Sequence, residues 1–309
     1  MKIDNRYRHH ELYVSLANKY RILPIWEASL SYDLQYNSLW ADMNDFAMPR
    51  RISNYVAMAS SVDLERIKLM ASATALFIHD RNTKLNTSSS RSAVTPALYA
   101  SIYPLRTNRE LSVRAFAKQS YRMPTFNDLY YTDMGNAQLK PERVTQFNVG
   151  LLFDRSYKLK DTWIRSLRIG VDAYCNMVTD KIVAYPKGQQ FRWTMLNLGK
   201  VDIKGIDVSA SVVVRPVSEL LLTFRGQYTF QRAIDITDLA TSYYRHQIPY
   251  IPRHSGSAVI NASFQRWALN VSYVRVGSRY NKQENIHYNY MRPWQTTDMS
   301  LSRDLRLAE

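Results

Sequence analysis

The chain has 309 residues, 46% of them hydrophobic, a net charge of +15 and one cysteine, so its length allows one large domain or two ordinary ones and an internal disulfide is excluded. Its longest hydrophobic run is Tyr55–Ala59, whereas a membrane-spanning helix needs about 20 apolar residues, so a helical membrane span is excluded as well. The positive charges are dispersed and accompany no nucleic-acid-binding motif. They fit an ordinary solvated surface, or contact with anionic lipid or an anionic solute, better than contact with nucleic acid.

Residues 26–37 show the pattern that dominates the chain, an alternation of apolar and polar side chains. Trp26 and Leu30 belong to the apolar set, and Ser31 and Asp33 belong to the polar set between them. Because successive side chains of a β-strand point to opposite faces, the alternation predicts a strand with one apolar and one polar face. Its recurrence predicts about 13 strands, starting near residues 9, 24, 51, 66, 93, 109, 141, 163, 193, 219, 253, 266 and 293.

The connections between these predicted strands alternate in length. The short ones are residues 20–24, 62–65, 104–109, 155–163, 215–219 and 264–267, and the long ones are residues 38–50, 79–93, 121–141, 180–192, 232–250 and 280–292. Outer-membrane barrels have short periplasmic turns, long extracellular loops and tilted strands of about 9–11 residues. The sequence therefore predicts an all-β, transmembrane antiparallel β-barrel that crosses a bacterial outer membrane many times, rather than a soluble β-sandwich.

The strand count also bears on completeness. Thirteen is odd, whereas a closed bacterial barrel usually has an even number of strands with both termini periplasmic. Residues 1–5 contain no apolar core of a signal peptide, which an outer-membrane protein needs. We therefore expect residues 1–309 to be a partial outer-membrane β-barrel domain of about 12–14 strands that lacks its natural start and one or two closing strands.

Residues 121–142 carry a pattern more specific than periodicity. They resemble the barrel of TonB-dependent receptors, which contains F-R-x-P-T-x-x-x-L-Y followed by G-N-x-x-L-K-P-E, with Tyr121 here in place of the usual Phe. The matching residues are Arg122, Pro124, Thr125, Leu129, Tyr130, Gly135, Asn136, Leu139, Lys140, Pro141 and Glu142. Weaker matches at residues 145–150, 197–199, 204–207 and 248–254 follow in the expected order, so the resemblance covers roughly residues 110–305.

The resemblance implies an outer-membrane receptor for a scarce nutrient, built as a 22-stranded barrel with an N-terminal plug in its lumen. Its implied partners are outer-membrane lipid including lipopolysaccharide, a small-molecule or metal-chelate substrate, and the TonB complex, which acts through the plug. Siderophores, cobalamin and haem are the usual cargoes. We expect the plug to be absent from these residues, so that this chain alone would not perform energised transport. Haem receptors usually place a histidine between the two motif halves; none lies there, although His246 or His287 could serve.

Two interpretations of the motif remain open. Pro124 and Pro141 can bound strands, Gly135-Asn136 suits a tight turn, and Glu142 can accept hydrogen bonds, which would make the segment a scaffold. The alternative is direct contact with ligand. Aromatic, acidic and histidine side chains of the long connections suit chelates or ring-shaped ligands, and the candidate contacts are Trp40, Asp42, Asp45, Tyr131, Tyr243, Tyr244, His246, His287, Tyr288 and Tyr290.

No catalytic, cofactor or metal site is expected, because His9-His10-Glu11 lacks the H-E-x-x-H spacing and no glycine-rich phosphate loop occurs. Two other membrane classes remain as alternatives. A passive porin shares the alternation and the loop asymmetry but lacks the 121–142 motif. An outer-membrane phospholipase could use residues 253–257, but these lack the H-x-S-N-G arrangement of that family, and calcium-dependent release of fatty acid would identify it.

Overall fold

The computed structural model describes residues 6–44, 46–84, 86–105, 108–131, 134–157, 162–187 and 192–305. The strands are β1 (Tyr7–Leu23), β2 (Trp26–Ala41), β3 (Pro49–Asp63), β4 (Ile67–Asn82), β5 (Thr87–Ile102), β6 (Leu111–Arg122), β7 (Glu142–Ser156), β8 (Ile164–Lys187), β9 (Arg192–Val217), β10 (Leu220–Asp235), β11 (His254–Phe264), β12 (Trp267–Val276), β13 (Arg279–Tyr280), β14 (Tyr290–Met291) and β15 (Trp294–Arg303). One short helix, α1 (Phe126–Tyr130), and a 3-10 turn at His287–Asn289 complete the elements.

Thirteen of these strands form one antiparallel sheet in the order β1 to β12 and then β15, while β13 and β14 form a separate two-stranded sheet. The all-β prediction and its 13 strands are therefore confirmed. The β4–β5 connection covers only residues 83–86, so the long connection predicted at 79–93 is wrong. Residues 87–92 are polar on both faces and give no alternation, yet they extend β5 beside β4, where His79 Nδ1 lies 2.9 Å from Ser90 Oγ.

The prediction for residues 180–192 is wrong in the same way, because β8 continues to Lys187 and β9 resumes at Arg192. Residues 188–191 lie outside the described part of the chain. Within the other long connections the sequence pattern missed local structure: α1 lies in the predicted 121–141 connection, and β14 with the 3-10 turn lies in the predicted 280–292 connection.

The strand registers show which side chains share a face. Leu30 of β2 lies opposite Met58 of β3, and Met58 lies opposite Ala73 of β4. Residues directly opposite each other point to the same face, so these positions define one apolar face across neighbouring strands. It is exposed, with Leu16 and Met58 each 62% accessible. Such an extended exposed apolar face is typical of strands that contact lipid.

The other face of β1–β4 is polar and is held together by side-chain hydrogen bonds. Tyr13 donates to Asp33 at 2.7 Å, and Gln35 donates to Glu11 at 2.6 Å. The apolar and polar faces therefore separate as the alternation predicted. No helix among the described residues is long and apolar enough to cross a membrane.

The chain divides into two compact units. The first unit comprises Met1–Ala100, Phe116–Gln146 and Val178–Gly199, and its buried clusters include side chains of the connection between β6 and β7. The second unit comprises Ser101–Ala115, Phe147–Met177 and Lys200–Glu309. Its buried residues include Val201, Ala233 and Ile248, which lie where the β10–β11 connection folds back on the strand ends.

Candidate functional site

The candidate site is built around residues 122–142, called the motif segment below. The segment leaves β6 at Arg122 and turns into α1 after Thr125. Thr125 Oγ1 accepts from the backbone N–H of Asp128 at 3.1 Å, and Asp128 Oδ2 accepts from the backbone N–H of Thr125 at 2.9 Å. This reciprocal capping box satisfies donors that a helix start otherwise leaves unpaired, which lets so short a helix form.

Arg122 links the two ends of the motif segment. Its Nη2 donates to Asp128 Oδ2 at 3.0 Å, and its Nη1 forms an ion pair with Glu142 Oε2 at 3.6 Å. Glu142, at the start of β7, also accepts from the backbone N–H of Ile182 at 3.0 Å. Both carboxylate residues are buried. Since buried charges need partners, Arg122 and the Ile182 amide keep these carboxylates satisfied.

Gly135 permits the tight reversal after α1. Its N–H donates to the carbonyl of Tyr131 at 2.7 Å. A Cβ at this position would lie 2.7 Å from the backbone nitrogens of both Tyr130 and Tyr131, closer than real side chains approach. The next residue, Asn136, donates from its backbone N–H to the carbonyl of Asp128 at 2.8 Å and from its side chain to the carbonyl of Met195 at 3.0 Å.

The β8–β9 hairpin holds the end of the motif segment. Asn197 Oδ1 accepts from the backbone N–H of Lys140 at 2.8 Å, and Asn197 Nδ2 donates to the carbonyls of Lys140 at 3.0 Å and Asp180 at 2.7 Å. Asp180 has a positive φ of 54°. Residues 197–199, one of the weaker matches to the family pattern, therefore bind the motif segment through one amide side chain.

Arg51 of β3 is the anchor that sequence reasoning missed. It is 8% exposed, and its Nε and Nη2 donate to the carboxylate oxygens of Asp80 at 2.6 and 2.9 Å. Its Nη1 donates to the carbonyl of Pro124 at 2.7 Å, and its guanidinium lies 5.2 Å from the Phe126 ring centre. Arg51 thus ties the motif segment to the polar face of the sheet. The β3–β4 register, which places Arg51 opposite Asp80, is the signal that could have identified it.

Aromatic packing fixes the other side of the segment. Phe126 packs with Leu39, Ala41 and Phe46 in a buried cluster. The rings of Tyr7 and Tyr131 stack with centres 5.9 Å apart.

Tyr130, in the same helix, contacts β4. Its hydroxyl donates to Asn82 Oδ1 at 3.1 Å. Burial raises the pKa of Tyr130 above its ordinary value, and the hydrogen bond to Asn82 opposes that shift. Tyr130 is therefore a neutral hydrogen-bond donor at physiological pH.

A cavity of about 640 Å³ lies between the motif segment and the polar face of β1–β3. Its walls combine aromatic rings, charged groups and amides, which suits recognition of a ligand that carries both apolar and polar surface. The lining residues are Tyr7, His9, Glu11, Gln35, Asn37, Leu39, Arg51, Ser53, Tyr55, Met123, Thr125, Phe126, Asn127 and Tyr131.

Four of the candidate contacts lie in the first unit, and among those that the structure describes only Tyr131 lines the cavity. Trp40 lies on the apolar face of β2, where the guanidinium of Arg8 sits 5.4 Å from its ring centre. Asp42 accepts from the backbone N–H of Arg6 at 2.9 Å. Asp45, the remaining candidate of this connection, lies outside the described residues.

The other candidate contacts lie in the second unit, on two connections that pack together. The β10–β11 connection carries Tyr243, Tyr244 and His246, and the connection after β12 carries His287, Tyr288 and Tyr290.

Hydrogen bonds join these two connections. Gln247 donates its backbone N–H to Asn285 Oδ1 at 2.7 Å, and Asn285 donates its backbone N–H to His246 Nδ1 at 3.2 Å. Tyr288 is 84% exposed, so its ring is available to solvent. Among the described residues no group of three or more His, Cys, Asp or Glu side chains is placed to hold a metal ion.

Strands with one apolar face, one polar face and a long connection folded over the polar face define the class of outer-membrane β-barrels. The family model described as TonB dependent receptor-like, beta-barrel, matches residues 17–308. The chain belongs to the TonB-dependent receptor family, whose members are outer-membrane receptors and transporters. The family and β-barrel interpretations of the sequence are thereby confirmed, and the family is one of outer-membrane proteins.

The alignments with individual relatives each cover only part of the longer relative. The chain is 28% identical over 178 residues to vitamin B12 transporter BtuB of Photobacterium profundum, which covers 57% of this chain and 26% of that relative. It is 37% identical over 90 residues to vitamin B12 transporter BtuB of Vibrio vulnificus, covering 29% of this chain and 13% of that relative.

Solved structures show the same fold at low sequence identity. Copper transporter OprC superposes with a TM-score of 0.75 and 12% identity over 98% of this chain and 50% of its own. Ferric citrate transporter FecA does so with a TM-score of 0.69 and 12% identity over 98% of this chain and 48% of its own. The chain thus spans about half the length of these solved structures.

Proposed function

We propose that this chain forms part of the wall and ligand chamber of a receptor that imports a scarce nutrient through the TonB system. The observation that carries the proposal is the cavity beneath the motif segment, which opens on the polar face at the end of the sheet that bears the long connections. In outer-membrane barrels that end is extracellular. A ligand arriving from outside would therefore meet the cavity.

The motif segment itself acts as a scaffold in this proposal. The side chains of Arg122, Asn136 and Glu142 all bind protein partners, which is the arrangement expected of a scaffold. Direct contact with the ligand is instead made by Tyr131 and by strand residues such as Tyr55, which line the cavity. Scaffold and ligand contact, the two roles considered for the motif, are thus divided between different residues of one loop and its neighbours.

Cobalamin is the first cargo to test, because the curated relatives are vitamin B12 transporters, and a ferric siderophore is the second. A ring of cobalamin size presents both apolar and amide surface, which matches the mixture of Tyr7, Asn37 and Tyr131 in the cavity wall. Energised uptake is assigned to the complete receptor, in which this wall would enclose an N-terminal plug that contacts TonB. Residues 1–309 would then be the partial barrel domain that the strand count predicted.

The test is uptake of labelled nutrient by cells that lack their own receptor and express the natural gene product containing this chain. We expect uptake of labelled cyanocobalamin, or of a ferric siderophore, in cells with TonB and none in cells without it. Uptake that persists without TonB would contradict the proposal and indicate a passive porin. Fatty acid release that depends on calcium would indicate the phospholipase alternative.

A pair of variants distinguishes the cavity of the first unit from the connections of the second unit as the binding site. Tyr131→Ala removes a ring that lines the cavity, whereas Tyr288→Ala removes a ring that is 84% exposed in the second unit. We expect Tyr131→Ala to raise the concentration needed for half-maximal uptake by up to about tenfold, since an aromatic contact with the ligand contributes about 0.5–1.5 kcal/mol to binding. If only Tyr288→Ala has this effect, the cavity is not the binding site.

A further inference from the structure

The apolar face of β1–β4 ends in a group of arginine and histidine side chains, called the basic patch below. It consists of Arg8, His10, Arg50, His79 and Arg81, all of which are exposed. The registers place His10 opposite Ser38, Ser38 opposite Arg50, and Arg50 opposite Arg81. These residues therefore form one row across four strands, roughly 14 Å long at the usual spacing between strands.

Adjacent positions on the same two strands show why this row is unusual. On the polar face Arg51 lies opposite Asp80, and the pair is closed by two hydrogen bonds. One residue away, on the apolar face, Arg50 lies opposite Arg81, and neither contacts a carboxylate in the described part of the chain. Like charges directly opposite each other on neighbouring strands are destabilising. The arrangement is relieved when an anion lies between the two guanidinium groups.

The charged side chains along these strands differ between the two faces and, on the apolar face, between the two ends. Within β1–β4, all of whose residues are described, the carboxylates lie on the polar face; they are Glu11, Glu27, Asp33, Asp63 and Asp80. In the adjoining connection Asp42 accepts from the backbone of Arg6. At the opposite, short-turn end of the apolar face the side chains are uncharged, as at Tyr20, Trp26 and Ile67.

The position of the patch identifies the kind of anion. It lies where the apolar face meets the long connections, which in an outer-membrane barrel is the level of the outer-leaflet headgroups. Trp40, beneath the guanidinium of Arg8, lies at the same level, as expected of an interfacial aromatic residue. Guanidinium groups bind phosphate oxygens in pairs of parallel hydrogen bonds, so phosphate suits this surface.

We propose that the basic patch binds the phosphate groups of lipopolysaccharide, with Arg50 and Arg81 bracketing one phosphate of the lipid headgroup. His10 and Arg8 extend the same surface toward β1, and the acyl chains lie along the apolar face below. The proposal rests on the proposed function only in placing the barrel in an outer membrane with its long connections outside.

The experiment compares variants of the natural gene product, purified in detergent and freed of lipopolysaccharide. Arg50→Gln with Arg81→Gln removes both central charges, while Arg66→Gln with Arg266→Gln removes two exposed charges from short turns as a matched control. Binding is measured with lipid A micelles, phosphatidylglycerol micelles and inorganic phosphate. We expect lipid A to bind the patch variant about thirtyfold more weakly than wild type, since each Arg near an anionic lipid surface contributes about 1 kcal/mol.

The control variant should bind lipid A as wild type does, and inorganic phosphate and phosphatidylglycerol should bind more weakly than lipid A. A second readout does not depend on the variant's affinity. Without lipid, removing the repulsion between Arg50 and Arg81 should raise the unfolding temperature, whereas added lipid A should then stabilise wild type more than the patch variant.

Equal lipid A affinity of the patch variant and wild type would overturn the proposal. So would equal loss in the control variant, or tighter binding of phosphatidylglycerol or inorganic phosphate than of lipid A. Nutrient uptake is measured in parallel to separate the two proposals. Loss of lipid A binding with normal uptake supports this site, whereas a wild-type protein that binds lipid A but takes up no nutrient contradicts only the proposed function.

Discussion

Replacing Arg51 by methionine tests how the motif segment is attached to the sheet. The substitution keeps an unbranched apolar side chain but removes the hydrogen bond to the Pro124 carbonyl and the contact with the Phe126 ring. A buried hydrogen bond from a charged donor contributes about 1.5–3 kcal/mol and a partly buried cation–π contact about 0.5–1 kcal/mol. The segment should therefore be held less firmly by about 2–4 kcal/mol.

Hydrogen–deuterium exchange measures this loss where it occurs. Amides of residues 123–141 exchange when the segment detaches, so a loss of this size should accelerate their exchange by roughly 30- to 1,000-fold. Arg50→Met, one residue away on the apolar face, is the matched control and should leave exchange in the segment unchanged. Identical exchange in the two variants would refute the role of Arg51 as an anchor.

Two further predictions concern the same segment. Gly135→Ala should lower the free energy of unfolding by about 2–3 kcal/mol, because its Cβ would lie 2.7 Å from two backbone nitrogens. Gly226→Ala is the control and should have no such effect, because the nearest atom to its Cβ would be 3.9 Å away. The unfolding temperatures of the two variants measure the difference. Burial raises the pKa of Tyr130. The contribution of Tyr130 to the free energy of unfolding should therefore be fully present below the ordinary pKa of 10.0 and should fall as pH rises through the shifted pKa. Tyr130→Phe should remove this alkaline loss, and stability curves between neutral and strongly alkaline pH would show no difference in slope if Tyr130 is in fact solvated.

The strands were predictable because their signal is local. Successive side chains of a lipid-facing strand alternate between lipid and water. The sequence of a strand such as β2 therefore shows which face is apolar without information from the neighbouring strands. The signal fails where both faces are polar, as at residues 87–92, and the extent of β5 was missed for that reason. The same alternation predicts the face on which Trp40 lies. Trp40 is an even number of residues from Trp26 in β2, so both lie on the apolar face.

The site was only partly predictable because it depends on contacts between distant segments. The T-x-x-D spacing of Thr125 and Asp128 is a local capping signature that could have identified α1. The pairing of Arg51 with Asp80 needs the β3–β4 register, and its contact with Pro124 needs the fold of a connection far along the chain. The bond between Asn197 and Lys140 likewise joins two motif stretches that the sequence shows only as separate matches.

Spin labels placed one at a time along residues 28–36 of β2, in a Cys175→Ser background, test the central claim most directly. In outer membranes the even positions should collide with oxygen dissolved in lipid, and the odd positions with a water-soluble nickel chelate, in strict alternation. Labels that contact neither reagent at any position, or that alternate with a helical period, would contradict a single strand wall between hydrocarbon and a polar lumen.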